Sequence, residues 1–313
     1  MTDPAIRLNK VPCAICGNSS DNVIAAGYDF EYTTCARELS LRKCTGCGVI
    51  YLSPRPAISE LGRIYPPQYN PFHFSNIKNP IVRFGRNFTQ RKKVKALKML
   101  LPEKASIMDA GCGSGALLML LKKFGSGQWR LFGNDMDTGP AEHLKEEGIG
   151  IIPGRFEEID TDLRFDLVIL NQTIEHLDSP LEVLKKISGL LAPKGFLLIE
   201  TPSIDGLDAR LFQRRYWGGY HIPRHWTLFS SDSLSKILAA QEFNVIKTSY
   251  LASPSFWIQS VHHYFLDKRY PRWWIRFWTS KNPLLLSFFT LFDLLMILLK
   301  RPTSNMRILA QKP

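Results

Sequence analysis

Two pairs of cysteines with identical spacing are the first residues in this 313-residue sequence that could do chemistry. Two residues separate Cys13 from Cys16 and Cys44 from Cys47, and a glycine follows each pair. This gap lets both thiolates of a pair reach one tetrahedral ion, and the glycine permits the tight turn beneath them. Four such ligands close the coordination shell, so the pattern predicts a structural Zn²⁺ site. A redox pair and four unrelated buried cysteines are the alternatives.

A glycine-rich turn is the second chemical feature, because it follows a short apolar strand and opens directly into an apolar helix. Glycines let a ligand approach the backbone, and a helix N-terminus favours an anionic group. Asp135 ends the next predicted strand, where a carboxylate can take both hydroxyls of a ribose. The combination predicts a nucleoside cofactor and leaves open whether it is a dinucleotide. The residues of the turn that matter are Asp109, Gly111, Gly113 and Gly115.

Alternating strands and helices follow from residue 106 onward and must position this turn. Residues 165–170 form an almost unbroken apolar run, which is typical of a strand buried on both faces. Strict alternation predicts an α/β fold with a parallel sheet, and ligands bind at the carboxyl ends of its strands.

These motifs carry a resemblance to class I S-adenosylmethionine-dependent methyltransferases. Residues 107–115 resemble their first motif, 132–135 their second, and 165–177 the motif around their fourth strand. Residues 190–195 are similar to the turn before their fifth strand, and 306–313 to their final antiparallel strand. The cysteine module and residues 217–230 resemble a bacterial subgroup that acts on sugars and other small molecules. The resemblance implies a Rossmann-like sheet of seven strands behind a zinc ribbon.

Carried over by position, the resemblance also implies the cofactor contacts. The backbone from Gly111 to Gly115 would cradle the methionine moiety, Asp109 would orient this loop and the amino group, and Asp135 would hold the ribose. The remaining contacts implied in this way are Met136 and Phe156 against the adenine, Glu157 at its edge, and Asn171 beside the sulfonium. For Met136 and Phe156, plain core packing is the alternative.

One departure concerns a metal. Quinone O-methyltransferases with a similar Glu-His dipeptide have a further glutamate three residues earlier, where this chain has Gln172, a poor ligand. We therefore expect no catalytic metal at Glu175 and His176. His176 remains a candidate for catalysis, with a purely structural role as the alternative.

A histidine base would suit methyl transfer to a hydroxyl, which is an in-line displacement that needs positioning and proton removal. His221 and His225 are four residues apart in the segment between the fifth strand and the last core helix, at the ligand end of the sheet. They are the predicted bases, with Tyr220 and Arg224 as substrate contacts. The alternative is that this segment only fastens the linker.

The net charge of +12 is unevenly distributed. Residues 78–104 carry +8 and residues 251–313 carry +7, whereas residues 1–77 carry +1 and residues 105–250 carry −4. A nearly neutral zinc module lacks the electrostatic footprint of a nucleic-acid binder, so we expect no nucleic-acid partner. An RNA-binding or RNA-modifying ribbon protein is the alternative.

The C-terminal basic segment mixes tryptophans with lysines and arginines and then becomes apolar from residue 284 to 299. As a helix the apolar run is about 24 Å long, which is too short for a hydrocarbon core of roughly 30 Å. Ser287, Thr290, Asp293 and Lys300 fall within one polar sector of about 140°, which predicts an amphipathic helix in the membrane plane rather than a spanning helix. A packed helical hairpin or a dimer interface is the alternative.

We therefore predict a methyltransferase that uses S-adenosylmethionine and structural Zn²⁺. Its acceptor would be a small molecule or glycan, including a lipid-linked one from polysaccharide or quinone biosynthesis, and O-methylation is favoured. We expect a cytoplasmic protein with peripheral membrane contact through 253–301 on the inner face. A NAD-type oxidoreductase is the enzymatic alternative. The expected segments are a zinc ribbon (1–52), a linker or lid (53–90), the cofactor-binding core (91–252), a C-terminal amphipathic helical insertion (253–305) and the final strand (306–313).

Overall fold

A computed structural model describes residues 6–66, 69 and 91–313 of the protein. The N-terminal module in this structure is a small antiparallel sheet. Its three longer strands are paired in chain order, and two short strands pair with each other beside them. Most of the predicted linker or lid, residues 67–68 and 70–90, lies outside the described residues. The elements are β1 (Leu8–Asn9), β2 (Asp21–Gly27), β3 (Leu39–Cys44), β4 (Ile50–Leu52), β5 (Arg55–Pro56) and α1 (Leu61–Ile64).

Alternating strands and helices make up the central domain. It begins with helix α2, which covers residues 91–100 of the described chain. The elements that follow are β6 (Ser106–Ala110), α3 (Ala116–Phe124), β7 (Arg130–Asp135), β8 (Gly150–Pro153), β9 (Phe165–Asn171), α4 (Pro180–Leu190), β10 (Leu191–Pro202), α5 (Leu207–Leu211), β11 (Thr227–Leu228), α6 (Ser231–Ala240) and β12 (Asn244–Tyr250). The C-terminal part adds α7 (Pro254–Asp267), α8 (Arg272–Phe277), α9 (Pro283–Leu298) and β13 (Asn305–Gln311).

The central sheet has seven strands in the order β12-β13-β10-β9-β6-β7-β8. Strand β13 runs antiparallel to both of its neighbours, β10 and β12, and the pairs from β10 to β8 are parallel. The predicted α/β fold with a mostly parallel, Rossmann-like sheet is confirmed. The C-terminal insertion therefore leaves the sheet after β12 and returns to it through β13.

Apolar side chains on both faces of the sheet hold the helices in place. Val168, Ile169 and Leu170 of β9 are completely buried, as the unbroken apolar run predicts. One face packs against α4 and α6, and the other against α2 and α3. This double cover leaves the carboxyl ends of the strands as the edge at which a ligand can reach the sheet.

Strand β11 belongs to the N-terminal sheet rather than to the central one. Thr227 pairs with Tyr51, and Leu228 with Ile50, so the four-stranded order is β11-β4-β3-β2. The backbone amide of Leu52 also donates to the carbonyl of Trp226, at 3.0 Å. The segment with the predicted histidine bases is therefore built into the N-terminal module, although the sequence suggested a separate ribbon.

Helices α7 and α9 pack against each other in the C-terminal insertion, and one member of the predicted polar sector, Asp293, departs from it. Asp293 does not face water but is buried, where its carboxylate accepts hydrogen bonds from the Ser253 amide (2.7 Å) and the Trp257 indole (3.0 Å). A carboxylate with two donors is satisfied inside, so Asp293 faces inward, whereas Ser287 and Lys300 are exposed together with several apolar residues. Among the described residues, no helix is long and apolar enough to cross a bilayer.

Candidate active site and metal site

The four predicted zinc ligands converge on one point. The sulfur atoms of Cys13, Cys16, Cys44 and Cys47 lie within 4.8 Å of one another, with Cys13 3.5 Å from Cys47 and Cys16 3.4 Å from Cys44. Four thiolates about 2.3 Å from a central Zn²⁺ require similar separations, so the cluster fits a tetrahedral metal. Cys35, which belongs to neither pair, is buried and is not a member of this cluster.

Matching backbone turns present the two pairs of cysteines. The amide of Gly17 donates to the Cys13 carbonyl and that of Gly48 to the Cys44 carbonyl, at 2.9 and 3.1 Å. Both glycines have positive φ, 70° and 77°, which ordinary residues adopt only at a cost. Burial opposes ionisation of Cys44, but hydrogen bonds from nearby amides and from Cys16 outweigh it and lower the Cys44 pKa to about 7.

The glycine turn after β6 has the backbone that the sequence predicts. Gly111, Gly113 and Gly115 all have positive φ. A Cβ on Gly115 would lie 2.0 Å from the Leu144 side chain, and one on Gly111 would lie 2.6 Å from Thr173. Positive φ and close packing therefore both exclude a side chain at Gly111 and Gly115, whereas at Gly113 only the positive φ does.

Asp135 and Asp109 flank the turn at the ends of neighbouring strands. The Asp135 carboxylate accepts a hydrogen bond from the Gly113 amide at 2.8 Å, which joins the ribose-binding candidate to the glycine loop. Asp109 is buried, and burial raises its pKa to about 7 although the charge of Lys93 opposes the rise. Its Oδ1 atom has no hydrogen-bond partner among the described residues.

A buried lysine that the sequence analysis missed lies near Asp109, and its charge opposes the rise that burial causes in the pKa of that carboxyl. Lys93 of α2 is almost completely buried and forms a 2.9 Å ion pair with Glu200 at the end of β10. Glu200 also pairs with Arg307 of β13 at 2.7 Å. No local motif marks Lys93, because on the sequence it is one of several lysines in a basic helix.

The remaining cofactor candidates occupy different environments. Met136 follows β7 and is 57% exposed, whereas Phe156 is buried in the core beside Ile159. Glu157 forms an ion pair with Arg155, and Asn171 lies half-buried at the carboxyl end of β9. Met136 is therefore free to cover a ligand, while Phe156 packs as a core residue.

The three predicted catalytic histidines form one cluster next to the glycine turn. The ring centroids of His176 and His225 are 4.7 Å apart, and those of His221 and His225 are 4.9 Å apart. Thr173 connects the two sites, since its hydroxyl donates to the Ala110 carbonyl at 3.1 Å and it begins the turn that carries His176. The chain thus brings the histidines to the same sheet edge as the glycines.

His176 and His225 are poor bases in this setting. Burial lowers the pKa of His176 to about 3, and it lowers that of His225 well below its ordinary value. Each ring is held by a backbone carbonyl at Nδ1, His176 by that of Arg224 (3.0 Å) and His225 by that of Gly219 (2.7 Å). Both imidazoles are accordingly neutral hydrogen-bonding groups.

His221 differs because a carboxylate from the N-terminal module faces it. Its Nδ1 atom lies 2.5 Å from Oε1 of Glu31, and its Nε2 atom lies 3.3 Å from the hydroxyl of Tyr69. Burial opposes ionisation of Glu31, but the imidazole outweighs it and the Glu31 pKa lies below its usual range. Sequence analysis missed Glu31, since 190 residues separate it from His221.

Arg224 and Tyr220, the predicted substrate contacts, both form hydrogen bonds to other parts of the protein, and their role toward a substrate stays a prediction. Arg224 is completely buried, and its guanidinium binds Asp29 through two nitrogens at 3.2 and 3.0 Å. It also donates to the Ile64 carbonyl at 2.7 Å. Tyr220 is buried, and its hydroxyl donates to the Gln213 carbonyl. Both residues fasten the histidine segment to its surroundings.

A second constellation of ligand atoms involves Glu175. The donor atoms of Glu175, His176 and His225 lie within 4.8 Å of one another. Gln172 does not add a fourth, because its amide donates to Asn305 at 3.1 Å. Burial raises the Glu175 pKa to about 8, and Thr201 donates to its Oε2 at 2.9 Å. These pKa shifts favour the uncharged form of all three groups at pH 7.

Comparison with known proteins agrees with this geometry. A family model described as "Methyltransferase domain" matches residues 83–248, which is more than half of the chain. A malonyl-[acyl-carrier protein] O-methyltransferase of Priestia megaterium is 33% identical over 136 residues, covering 42% of this chain and 47% of its own length. A ubiquinone biosynthesis O-methyltransferase of Histophilus somni is 32% identical over 113 residues, 32% of this chain and 46% of its own. The chain thus spans about half the length of these curated relatives.

A solved structure gives the same result for the fold. The 1,6-didemethyltoxoflavin-N1-methyltransferase of Burkholderia thailandensis, with bound S-adenosylhomocysteine, has a TM-score of 0.51 at 15% identity, covering 92% of this chain and 99% of that one. The family match and the seven-stranded sheet decide between the cofactor classes that the glycine turn alone left open. This chain belongs to the class I S-adenosylmethionine-dependent methyltransferases.

Proposed function

We propose that this protein transfers a methyl group from S-adenosylmethionine to a hydroxyl of a small-molecule acceptor. The observation that carries the proposal is the glycine turn with positive φ at all three glycines, whose Gly113 amide donates a hydrogen bond to the Asp135 carboxylate at 2.8 Å. The buried Oδ1 of Asp109, which has no hydrogen-bond partner in the part of the chain that the structure describes, offers an acceptor for the ammonium group of the methionine moiety. When bound, the cofactor supplies an electrophilic methyl group on sulfur. The chain's own contribution is to bind, to orient and to take up a proton.

His221 is the proposed base. Its Nε2 atom can accept the proton of the acceptor hydroxyl, while Glu31 at Nδ1 fixes the tautomer and stabilises the imidazolium. His176 and His225 line the same cluster as neutral groups, and their lowered pKa values make them weaker candidates. The arrangement makes Glu31 a positioning residue from the N-terminal module.

The names of the relatives support an oxygen acceptor. Their names describe O-methyltransferases acting in quinone biosynthesis and on an acyl-carrier-protein substrate. We propose an oxygen acceptor on a small molecule or glycan, including a lipid-linked one, met on the cytoplasmic face of the membrane. The thiols of the cysteine cluster also favour a reducing compartment.

Calorimetry with S-adenosylhomocysteine, S-adenosylmethionine and NAD⁺ tests the cofactor assignment. We expect binding of the first two, a loss of at least about tenfold in affinity for Asp135→Ala, and no change for the exposed Asp162→Ala. Binding of NAD⁺ alone would refute the proposal. A panel of phenolic, sugar and acyl-thioester acceptors, read by product mass, then identifies the acceptor.

We also propose that the cysteine cluster holds structural Zn²⁺, because four thiols in this geometry leave no open position for chemistry. Metal analysis should give one zinc per chain for the wild type and for Cys35→Ser, and none for Cys16→Ser. Zinc retained at full occupancy in Cys16→Ser would contradict this assignment.

A further inference from the structure

An apolar stripe runs along the solvent side of α9. Its side chains are 50% to 79% exposed and recur every three or four residues. At about 100° per residue they fall within a sector of about 80°, along a helix about 24 Å long. Soluble proteins rarely expose a contiguous apolar surface of this kind without a partner for it. The stripe consists of Leu284, Phe288, Leu291, Leu295 and Leu298.

The opposite side of α9 is firmly anchored, so the helix cannot turn to hide the stripe. Asp293, about 180° from Leu284 on the helix, accepts hydrogen bonds from the Ser253 amide and the Trp257 indole. The Trp257 ring also stacks on Phe289, with centroids 5.4 Å apart. Outward display of the leucines is therefore a property of the packed hairpin.

Exposed cations and an exposed tryptophan lie close to the stripe in the sequence, in α8 and at the two ends of α9. In α8, Trp273 is 70% exposed between the exposed Arg272 and Arg276. Exposed cations also stand at both ends of α9, Lys281 before it and Lys300 after it. Indole rings beside lysine and arginine, next to an apolar helix face, suit the interface of a bilayer with anionic lipids.

We propose that this face of α9, together with α8, docks on the surface of a bilayer that contains anionic lipids. The helix would lie in the plane of the interface with the leucine stripe among the acyl chains. An anionic surface neutralises the positive charge of the C-terminal segment, +7 over residues 251–313, whereas a second copy docked on the same face would double it. The proposal does not depend on the methyl acceptor.

Vesicle flotation of the full-length protein tests the proposal, with phosphatidylcholine vesicles and with vesicles that also contain phosphatidylglycerol. We expect binding to the anionic vesicles that weakens with added salt. Leu291→Asp/Leu298→Asp should bind at least about tenfold more weakly, because both substitutions remove inserted side chains. Arg272→Glu/Arg276→Glu should lose about tenfold as well.

Matched control variants distinguish a loss of this surface from the general effect of introducing negative charge elsewhere on the protein. Met99→Asp changes an apolar side chain that is 82% exposed on α2, and Lys185→Glu reverses an exposed cation on α4; neither should alter vesicle binding. Retained affinity for S-adenosylhomocysteine shows that each variant is folded. Equal vesicle binding by the wild type and the leucine variant overturns the proposal. So does a wild-type dimer, seen by sedimentation velocity, that the leucine variant splits into monomers without changing vesicle binding.

Discussion

The glycine turn and the histidine cluster lie at the same edge of the sheet but are assembled from different stretches of chain. Asp109, the glycines and Asp135 come from two consecutive strands, β6 and β7, and from the turn that leads from β6 into α3. The histidine cluster combines Glu31 of the N-terminal module with His176 after β9 and His221 before β11. One site depends on local backbone geometry, and the other depends on how two sheets are joined.

This difference separates binding from catalysis. Damage to the turn should weaken the cofactor and leave the fold intact, because the strands around it are held by the core. Damage at the junction of the modules should remove the base and leave the cofactor site in place. Selective loss of one function without the other is the test of this division.

The largest expected effect is on turnover at His221. Asparagine tolerates the positive φ of 40° at this position but cannot act as a base. His221→Asn should lower kcat by about 10²- to 10⁴-fold, and Glu31→Gln by less, with unchanged affinity for S-adenosylhomocysteine. His143→Asn, at an exposed histidine, is the control. Undiminished turnover of His221→Asn would assign the proton to another group.

The junction itself is tested at the buried ion pair. Arg224→Met leaves Asp29 buried without its partner, which should cost about 3–5 kcal/mol in the free energy of unfolding. Lys236→Met breaks a solvent-exposed ion pair with Asp232 and should cost less than about 1 kcal/mol. Urea denaturation measures both. Similar losses in the two variants would mean that Arg224 does not hold the modules together.

A substitution in the glycine turn should lower the affinity for the cofactor and not the rate of the chemical step. Gly115→Ala places a Cβ 2.0 Å from Leu144 at a residue with φ of 72°, so we expect at least about a tenfold loss in affinity for S-adenosylhomocysteine. Gly127→Ala, where a Cβ meets none of the described residues within 4 Å, should bind normally. Calorimetry distinguishes them, and equal affinities would show that the turn adapts.

The smallest effect concerns pH. Burial raises the Asp109 pKa to about 7, so the carboxyl is mostly protonated at pH 5.5 and half ionised at pH 7. The ammonium group of the ligand stays charged over this range and prefers the ionised form. Affinity for S-adenosylhomocysteine should therefore rise about tenfold from pH 5.5 to pH 7. Asp109→Asn should show a flat profile, and a slope retained in that variant would place the titrating group elsewhere.

Much of the fold was predictable from the sequence, because its signals are local. The apolar run of β9, the helix over Ala116–Phe124 and the antiparallel return of residues 306–311 all appear where the pattern places them. The cysteine pairs and the glycine turn were also recognisable from the sequence, since residue type and spacing define both motifs. The glycines of the turn then adopt the positive φ angles that only glycine adopts without strain.

The tertiary structure alone decided which groups face one another. Glu31 beside His221, Asp29 beside Arg224 and Asp293 turned inward on α9 all involve partners more than 35 residues away. Residue types in the sequence identified the histidines and the charged groups but not their pairing. Pairing depends on which buried charges and dipoles find hydrogen-bond partners once the two sheets and the C-terminal hairpin are packed. The periodicity of the sequence carries no information about these distant partners.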